Sequence, residues 1–236
     1  KNMQAIREHH VRLHEYLETA QPEQSVEIRY EAAEDEMLYP IVTKGGLEYR
    51  LNSKYNPKEA SMQYVSQFEK EGSYSVFFLL GFGDGRSIEA LAQTLDETMT
   101  LIVYEPSAAI FQKTLETFDY TELLKKKNVY LIVESENMLQ DYLESGISFN
   151  NIRMRLGILP NYDSIYPKEC KHMLETMIYF MNKTKIYRNT IYNFRDEFAA
   201  HAISNMYDYL WQTDTHYLKE CLAEEDLSDV PAIIVA

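Results

Sequence analysis

Three glycines on alternate positions separate an apolar segment from a helical pattern in the stretch VFFLLGFGDGRSIEALAQTL, residues 76–95. They are Gly81, Gly83 and Gly85. Glycine adopts left-handed backbone angles and lets a ligand approach the main chain without meeting a Cβ atom. The helix predicted to begin near Ser87 directs its free N–H groups to the same place, where anions and carboxylates bind favourably. The spacing therefore indicates a turn suited to a small polar ligand.

An acidic residue, Glu105, is expected at the same corner, because it ends the next apolar segment, LIVYE. It follows the turn by about twenty residues, the position from which a carboxylate commonly accepts hydrogen bonds from ribose hydroxyls. Asp84 acts in the opposite direction, since its carboxylate can cap the helix itself or repel a phosphate at close range. Two interpretations stay open: a self-capped structural turn, and a ligand site formed by Gly81, Gly83, Asp84, Gly85 and Glu105.

The elements that position this turn form an alternating series of strands and helices. Such alternation predicts a parallel sheet covered by helices on both faces. The predicted strands are residues 75–80, 100–104, 129–133 and 152–159, and the predicted helices are residues 87–95, 108–117 and 137–144. The first strand is apolar on consecutive positions, so it should be a central strand of the sheet.

The segments before the sheet have other patterns. Residues 3–19 have apolar residues at helical spacing, which predicts one amphipathic helix. Its His10 and His14 stand four apart and can chelate a metal, although no third ligand is near, and two partly exposed histidines are the alternative. Gly45–Gly46 predicts a tight hairpin between short alternating strands. Asn56 and Pro57 then begin a predicted helix that stops at Gly72.

After residue 160 the pattern is helical, with methionine and aromatic residues every three or four positions to about residue 222. A break is expected near residues 213–215, and VPAIIVA at 230–236 has the pattern of a buried strand. The predicted fold is an α/β, Rossmann-like domain at 56–160, preceded by a helix and β-hairpin region at 1–55. A helical linker at 161–229 and the first strand of a following domain at 230–236 complete the prediction.

Composition excludes several classes of partner. The chain has 37 acidic and 23 basic residues and a net charge of -14, which repels the nucleic-acid backbone. Its apolar runs are shorter than the ~20 residues of a membrane span, and its first residues contain no apolar signal region. We therefore expect a cytoplasmic protein that binds no nucleic acid.

The glycine turn resembles the first motif of S-adenosylmethionine-dependent methyltransferases, which reads much like LLGFGDG followed by an acidic residue at the end of the next strand. This resemblance covers only residues 76–105. It implies that Gly81, Gly83, Gly85 and Glu105 hold S-adenosylmethionine.

A second resemblance covers more of the chain. The segments NSKYNPKEA (52–60), LLGFGDGRSIEAL (79–91), IVYEPS (102–107) and FDYTELL (118–124) occur in an order similar to the N-terminal region of motility-associated-factor glycosyltransferases. Further on, RNTIYNFRDEF (188–198), Asn205 and VPAIIVA are similar to linker helices and a first strand in that family. Two positions depart from its pattern: Phe198 stands where a Trp is usual, and His201 where an Asn is common.

That family attaches nonulosonic acids, such as pseudaminic or legionaminic acid, to flagellin. The resemblance implies an accessory region for acceptor recognition, domain positioning or assembly, with flagellin as the acceptor. It also implies that the nucleotide-activated sugar binds a central domain beyond Ala236, so we expect neither catalytic residues nor a tightly bound cofactor within these residues. A purely structural or interaction module, with the turn as architecture, is the third interpretation.

Overall fold

The computed structural model describes residues 1–20, 25–68, 72–134, 136–146 and 153–211. The chain divides into two compact units, Lys1–Tyr187 and Arg188–Ala236. The sheets and the glycine turn belong to the first unit. A bilayer-spanning helix is absent from the part of the chain that the structure describes.

The chain begins with two helices, α1 (Asn2–His9) and α2 (Val11–Thr19), where the sequence pattern predicted one. The backbone of His10 leaves the helical region, with φ -132° and ψ 58°. Its ring Nε2 lies 2.9 Å from the carbonyl oxygen of Leu124, to which it donates. This tertiary contact lies at the bend between the two helices, and the local spacing carries no sign of it.

A three-stranded antiparallel sheet follows, made of β1 (Val26–Ala32), β2 (Leu38–Lys44) and β3 (Leu47–Arg50). Gly45 and Gly46 join β2 to β3 with φ of 60° and 79°. Two positive φ angles in a two-residue loop match the twist of the flanking strands. The predicted hairpin is confirmed.

Helix α3 (Pro57–Ser66) begins as the sequence predicted. The side chain of Asn56 caps it by accepting a hydrogen bond of 2.9 Å from the backbone N–H of Glu59. Pro57 occupies the first helical position, where its missing N–H costs nothing.

The second sheet is parallel and contains β4 (Ser75–Leu80), β5 (Thr100–Glu105), β6 (Val129–Val133) and β7 (Arg153–Ile158). Its strand order is β6-β5-β4-β7. All six residues of β4 are buried, and the strand pairs with β5 on one side and β7 on the other. The predicted central strand and the α/β fold class are confirmed.

The connections between these strands carry α4 (Arg86–Thr94), α5 (Ala108–Thr117), the short α6 (Thr121–Leu124) and α7 (Glu136–Gly146). The chain runs from β4 to β5 to β6 in one direction and then returns past both to place β7 on the far side of β4. The strand order therefore reverses between β4 and β7, which defines a topological switch point at the carboxyl ends of these two strands.

Two helices follow the sheet, α8 (Tyr162–Ile165) and α9 (Pro167–Trp211). The first part of α9 buries Cys170, Met173, Met177 and Phe180. The sequence pattern predicted packing surface along a stripe from Met173 to Phe198, and this is confirmed for its first three members, Met173, Met177 and Phe180. It is wrong for Tyr187, Phe194 and Phe198, which are exposed. The predicted break near 213–215 and the predicted strand at 230–236 lie outside the described residues.

Candidate functional site

The glycine turn forms a tight corner between β4 and α4. The φ angles of Gly81, Gly83 and Gly85 are 98°, 57° and 79°, all in the region that favours glycine. The backbone N–H of Gly81 donates to the carbonyl oxygen of Tyr104 at 2.8 Å, which ties the corner to β5. We call the turn, together with the side chains that contact it, the glycine corner.

Two tyrosine rings fill the space over the outer glycines. A Cβ atom added to Gly81 would lie 2.5 Å from the ring of Tyr162, and one added to Gly85 would lie 2.5 Å from the ring of Tyr120. Real Cβ atoms do not approach other atoms so closely. These glycines therefore admit the protein's own aromatic side chains at the positions where a ligand would approach the main chain.

Glu105 lies at the end of β5, as the sequence predicted, and its side chain turns into the corner. It is 1% exposed. Its carboxylate accepts hydrogen bonds from the N–H of Phe82 at 2.7 Å, the N–H of Ser107 at 2.9 Å and the hydroxyl of Tyr162 at 2.5 Å. Both carboxylate oxygens are thus engaged within the protein.

Burial dominates the electrostatics of Glu105. It raises the pKa of this carboxyl from its usual value to about 7, although the donors from Tyr162, Phe82 and Ser107 act in the opposite direction. The carboxyl thus titrates near neutral pH and not near its ordinary value.

Tyr162 connects the two halves of the corner. Besides donating to Glu105, its hydroxyl accepts a hydrogen bond of 2.9 Å from the N–H of Gly83. The side chain is completely buried, and this burial raises the pKa of its hydroxyl well above the ordinary value. Sequence reasoning missed Tyr162, because it lies 79 residues from Gly83 and no motif surrounds it.

Asp84 caps the corner from within. One carboxylate oxygen accepts from the backbone N–H of Arg86 at 3.2 Å, and the other accepts from the Arg86 guanidinium at 2.5 Å and from Nδ2 of Asn52 at 2.7 Å. Asp84 is 3% exposed, and burial raises the pKa of its carboxyl against the opposing effect of Arg86 and Asn52. The carboxylate of Asp84 therefore lies at the start of α4, although the N-cap residue itself is Gly85, which has no side chain to cap the helix.

The five predicted site residues, Gly81, Gly83, Asp84, Gly85 and Glu105, thus come together in one cluster. The structure places side chains of the protein against the outer glycines and against both carboxylates. Ligand binding by this set stays a prediction, and any ligand would have to displace Tyr162 or Tyr120 to reach the backbone of Gly81 or Gly85.

The histidine pair does not form part of this cluster. His10 donates to a backbone carbonyl, and Nδ1 of His14 lies 3.8 Å from a carboxylate oxygen of Glu18. Within the described ranges, three or more His, Cys, Asp or Glu side chains nowhere converge in a way that would hold a metal ion.

Comparison of the sequence with known proteins identifies no relative of this chain. Neither the protein-family models nor the curated proteins contain a match to the chain.

Proposed function

We propose that this chain is an accessory region of a cytoplasmic bacterial glycosyltransferase that attaches nonulosonic acids to flagellin. Its role in that enzyme is recognition of the flagellin acceptor, and the nucleotide-activated sugar binds another domain. The observation that carries the proposal is the convergence in space of the four segments that resemble motility-associated-factor glycosyltransferases.

Each of the four segments contributes a contact to the glycine corner. Segment 52–60 supplies Asn52, which donates to Asp84 of segment 79–91. Segment 102–107 supplies Glu105, which accepts from Phe82. Segment 118–124 supplies Tyr120, whose hydroxyl donates to the carbonyl oxygen of Asp84 and whose ring covers Gly85.

This convergence indicates that the four segments resemble the family because they pack against one another in the fold. Segments that are far apart in sequence are linked through contacts in one buried cluster, so a change in one of them requires a change in its partners. The resemblance thus follows a packing unit that would be retained together in related accessory domains.

Binding of S-adenosylmethionine, the methyltransferase alternative, would require a different arrangement of side chains in the glycine corner. Glu105 would have to accept hydrogen bonds from a ribose, yet its oxygens already accept from two backbone N–H groups and from Tyr162. The cofactor would have to approach Gly81, yet the Tyr162 ring lies there. The described geometry therefore supports the accessory role over binding of S-adenosylmethionine.

Helix α9 offers a surface for the acceptor. In its described part beyond residue 187, large apolar side chains are exposed, and they include Tyr192, Phe194, Phe198, Ile203 and Met206. Phe194 and Phe198 lie on one face of the helix with their ring centres 6.2 Å apart, and contiguous exposed apolar groups are typical of protein-binding surfaces. Under the proposed function, flagellin is the protein that binds this surface.

A binding and transfer experiment tests the proposal. The 236-residue protein is mixed with unglycosylated flagellin, and complex formation is measured by calorimetry. Phe198→Ser on α9 should weaken the complex at least fivefold, whereas Met62→Ser should leave it unchanged, because Met62 is similarly exposed but lies on α3.

Two further arms separate the alternatives. Transfer of a nonulosonic acid from its cytidine-linked form to flagellin by this protein alone would overturn the accessory role. Binding of S-adenosylmethionine that Glu105→Ala abolishes would establish the methyltransferase alternative instead. Absence of any flagellin complex at micromolar concentrations would contradict acceptor recognition.

A further inference from the structure

A pocket lies at the topological switch point, beside the glycine corner. Its volume is about 340 Å³, at the lower end of the range for small-molecule sites. Open parallel sheets commonly bind ligands in the crevice outside the carboxyl ends of the strands at which the strand order reverses. We call this cavity the switch-point pocket.

Four segments of the first unit meet around the pocket. They are the segment that leaves β3 (Arg50–Tyr55), one face of α3 (Ala60, Ser61 and Tyr64), the start of α4 (Ser87) and the turn after β7 (Pro160 and Asn161). The turn after β7 is tied to the end of β3, because Nδ2 of Asn161 donates to the carbonyl oxygen of Arg50 at 2.7 Å. The walls are therefore held in place by the fold.

The charge of the lining is opposite to that of the whole chain. The chain carries 37 acidic and 23 basic residues. None of the twelve lining residues is acidic, and two of them, Arg50 and Lys54, are cationic. Lys54 is oriented at the rim, since its Nζ lies 4.8 Å from the centre of the Tyr55 ring. The pocket is thus a local electropositive site on an acidic protein.

The lining is also rich in hydrogen-bonding groups. Ser87 lies in the first turn of α4, next to Arg86, whose backbone N–H donates to the Asp84 carboxylate. Asn52 is held in position, because its Nδ2 donates to Ser61 Oγ at 3.1 Å and to the Asp84 carboxylate at 2.7 Å.

Tyr64 lines the pocket, but its hydroxyl is enclosed by the protein. The hydroxyl is buried, has no hydrogen-bond partner among the described residues, and lies beside Gly157 of β7 together with Leu79 and Phe68. It is therefore not a group that a ligand in the pocket would contact.

We propose that the switch-point pocket binds a small polyhydroxylated anion that carries one carboxylate or phosphate group. The two cations, Arg50 and Lys54, bind the charged group, and the serine side chains of the lining bind hydroxyls. The inference does not depend on the proposed role in flagellin glycosylation, because it is drawn from the shape and the charges of the pocket lining.

Titration with defined probes tests the ligand class. The 236-residue protein is titrated with inorganic phosphate, glucose 6-phosphate, glucuronate and glucose, and binding is followed by calorimetry. We expect glucose 6-phosphate or glucuronate to bind at least tenfold more tightly than glucose, and the stronger of the two identifies the preferred charged group. Equal binding of glucose, or no binding of any probe at 10 mM (about 3 kcal/mol of affinity), would overturn the proposal.

Matched variants locate the binding site. Ala60→Leu places a larger side chain in the pocket and should weaken binding about tenfold or more, whereas Ala90→Leu on α4, outside this pocket, should not. Lys54→Gln should weaken binding about fivefold, and Lys58→Gln, which removes the same charge from α3 outside the pocket, should have little effect. If the two members of each pair behave alike, the ligand binds elsewhere and the proposal fails.

Discussion

The glycine corner and the switch-point pocket flank the start of α4, yet the first is filled by the protein and the second is open. In the corner, the rings of Tyr162 and Tyr120 lie on glycine backbones and Glu105 is buried among donors. In the pocket, Arg50 and Lys54 are exposed. A conspicuous glycine motif thus marks the place where the chain packs on itself, while the residues around the open pocket carry no motif.

The largest expected effect comes from adding one methyl group to the corner. Gly81→Ala combines an unfavourable positive φ with a contact of 2.5 Å to the Tyr162 ring. Backbone strain of about 1–3 kcal/mol and overpacking of about 1–3 kcal/mol together predict a loss of about 4 kcal/mol in the free energy of unfolding. Urea unfolding followed by circular dichroism measures it.

The hairpin supplies the control for that variant. Gly46 also has a positive φ, 79°, but a Cβ atom there would meet nothing within 4 Å. Gly46→Ala should therefore lower the free energy of unfolding by only about 1 kcal/mol. Equal losses at the two positions would show that the tyrosine contact at Gly81 is not tightly packed.

The sequence was sufficient to predict the parts of the fold that depend on local pattern. The positions of β4 and α5, the hairpin at Gly45–Gly46 and the cap at Asn56 follow from apolar spacing and turn chemistry within a few residues. The cluster of glycines and acids was also found, because a strand, a turn and a helix bring them together.

The sequence could not predict which groups occupy that cluster. Tyr162 reaches Gly83 across 79 residues, and Tyr120 reaches Asp84 across 36. The contact of Tyr162 depends on the strand order, which places the turn after β7 beside β4. The contact of Tyr120 depends on the path of the chain between α5 and α6. The sequence could not predict the switch-point pocket for the same reason, because the pocket combines four segments and none of them has a recognisable pattern.

The second prediction concerns the pH dependence of stability. The pKa of Glu105 is about 7 in the folded protein and near its ordinary value of 4.5 in the unfolded chain. Between these two values the folded state holds a proton that the unfolded state has lost, so the free energy of unfolding falls as pH rises. The fall should amount to about 3 kcal/mol from pH 4.5 to pH 7 and end above that range.

Replacing the carboxyl isolates this contribution. Glu105→Gln should flatten the slope between pH 5 and pH 7 in urea unfolding, whereas Glu122→Gln, an exposed glutamate on α6, should keep it. The buried Asp84, whose pKa is also raised, adds a fall of the same sign that begins nearer its ordinary value of 3.8. An unchanged slope in Glu105→Gln would contradict burial of an ionising group in the corner.

The third prediction compares the two regions through one chemical change, removal of a tyrosine hydroxyl. Tyr162→Phe leaves the N–H of Gly83 without its acceptor and removes a donor to Glu105. The expected loss is about 2 kcal/mol in the free energy of unfolding at pH 7. Because the lost donor favours the charged carboxylate, the pKa of Glu105 should rise further, and the fall in stability should extend to higher pH. Unchanged stability would indicate that water replaces the hydroxyl at no cost.

The smallest effect is expected on the pocket side. The Tyr64 hydroxyl is buried without a described partner, and burial raises its pKa well above the ordinary value of 10.0. Tyr64→Phe removes a desolvated polar group while keeping the edge-to-face ring contact with Phe68, so stability should change by less than about 0.5 kcal/mol or increase. Urea unfolding beside Tyr162→Phe measures the difference directly. A loss as large as that of Tyr162→Phe would mean that the Tyr64 hydroxyl is hydrogen-bonded in the folded protein, and the contrast between the two tyrosine hydroxyls would then disappear.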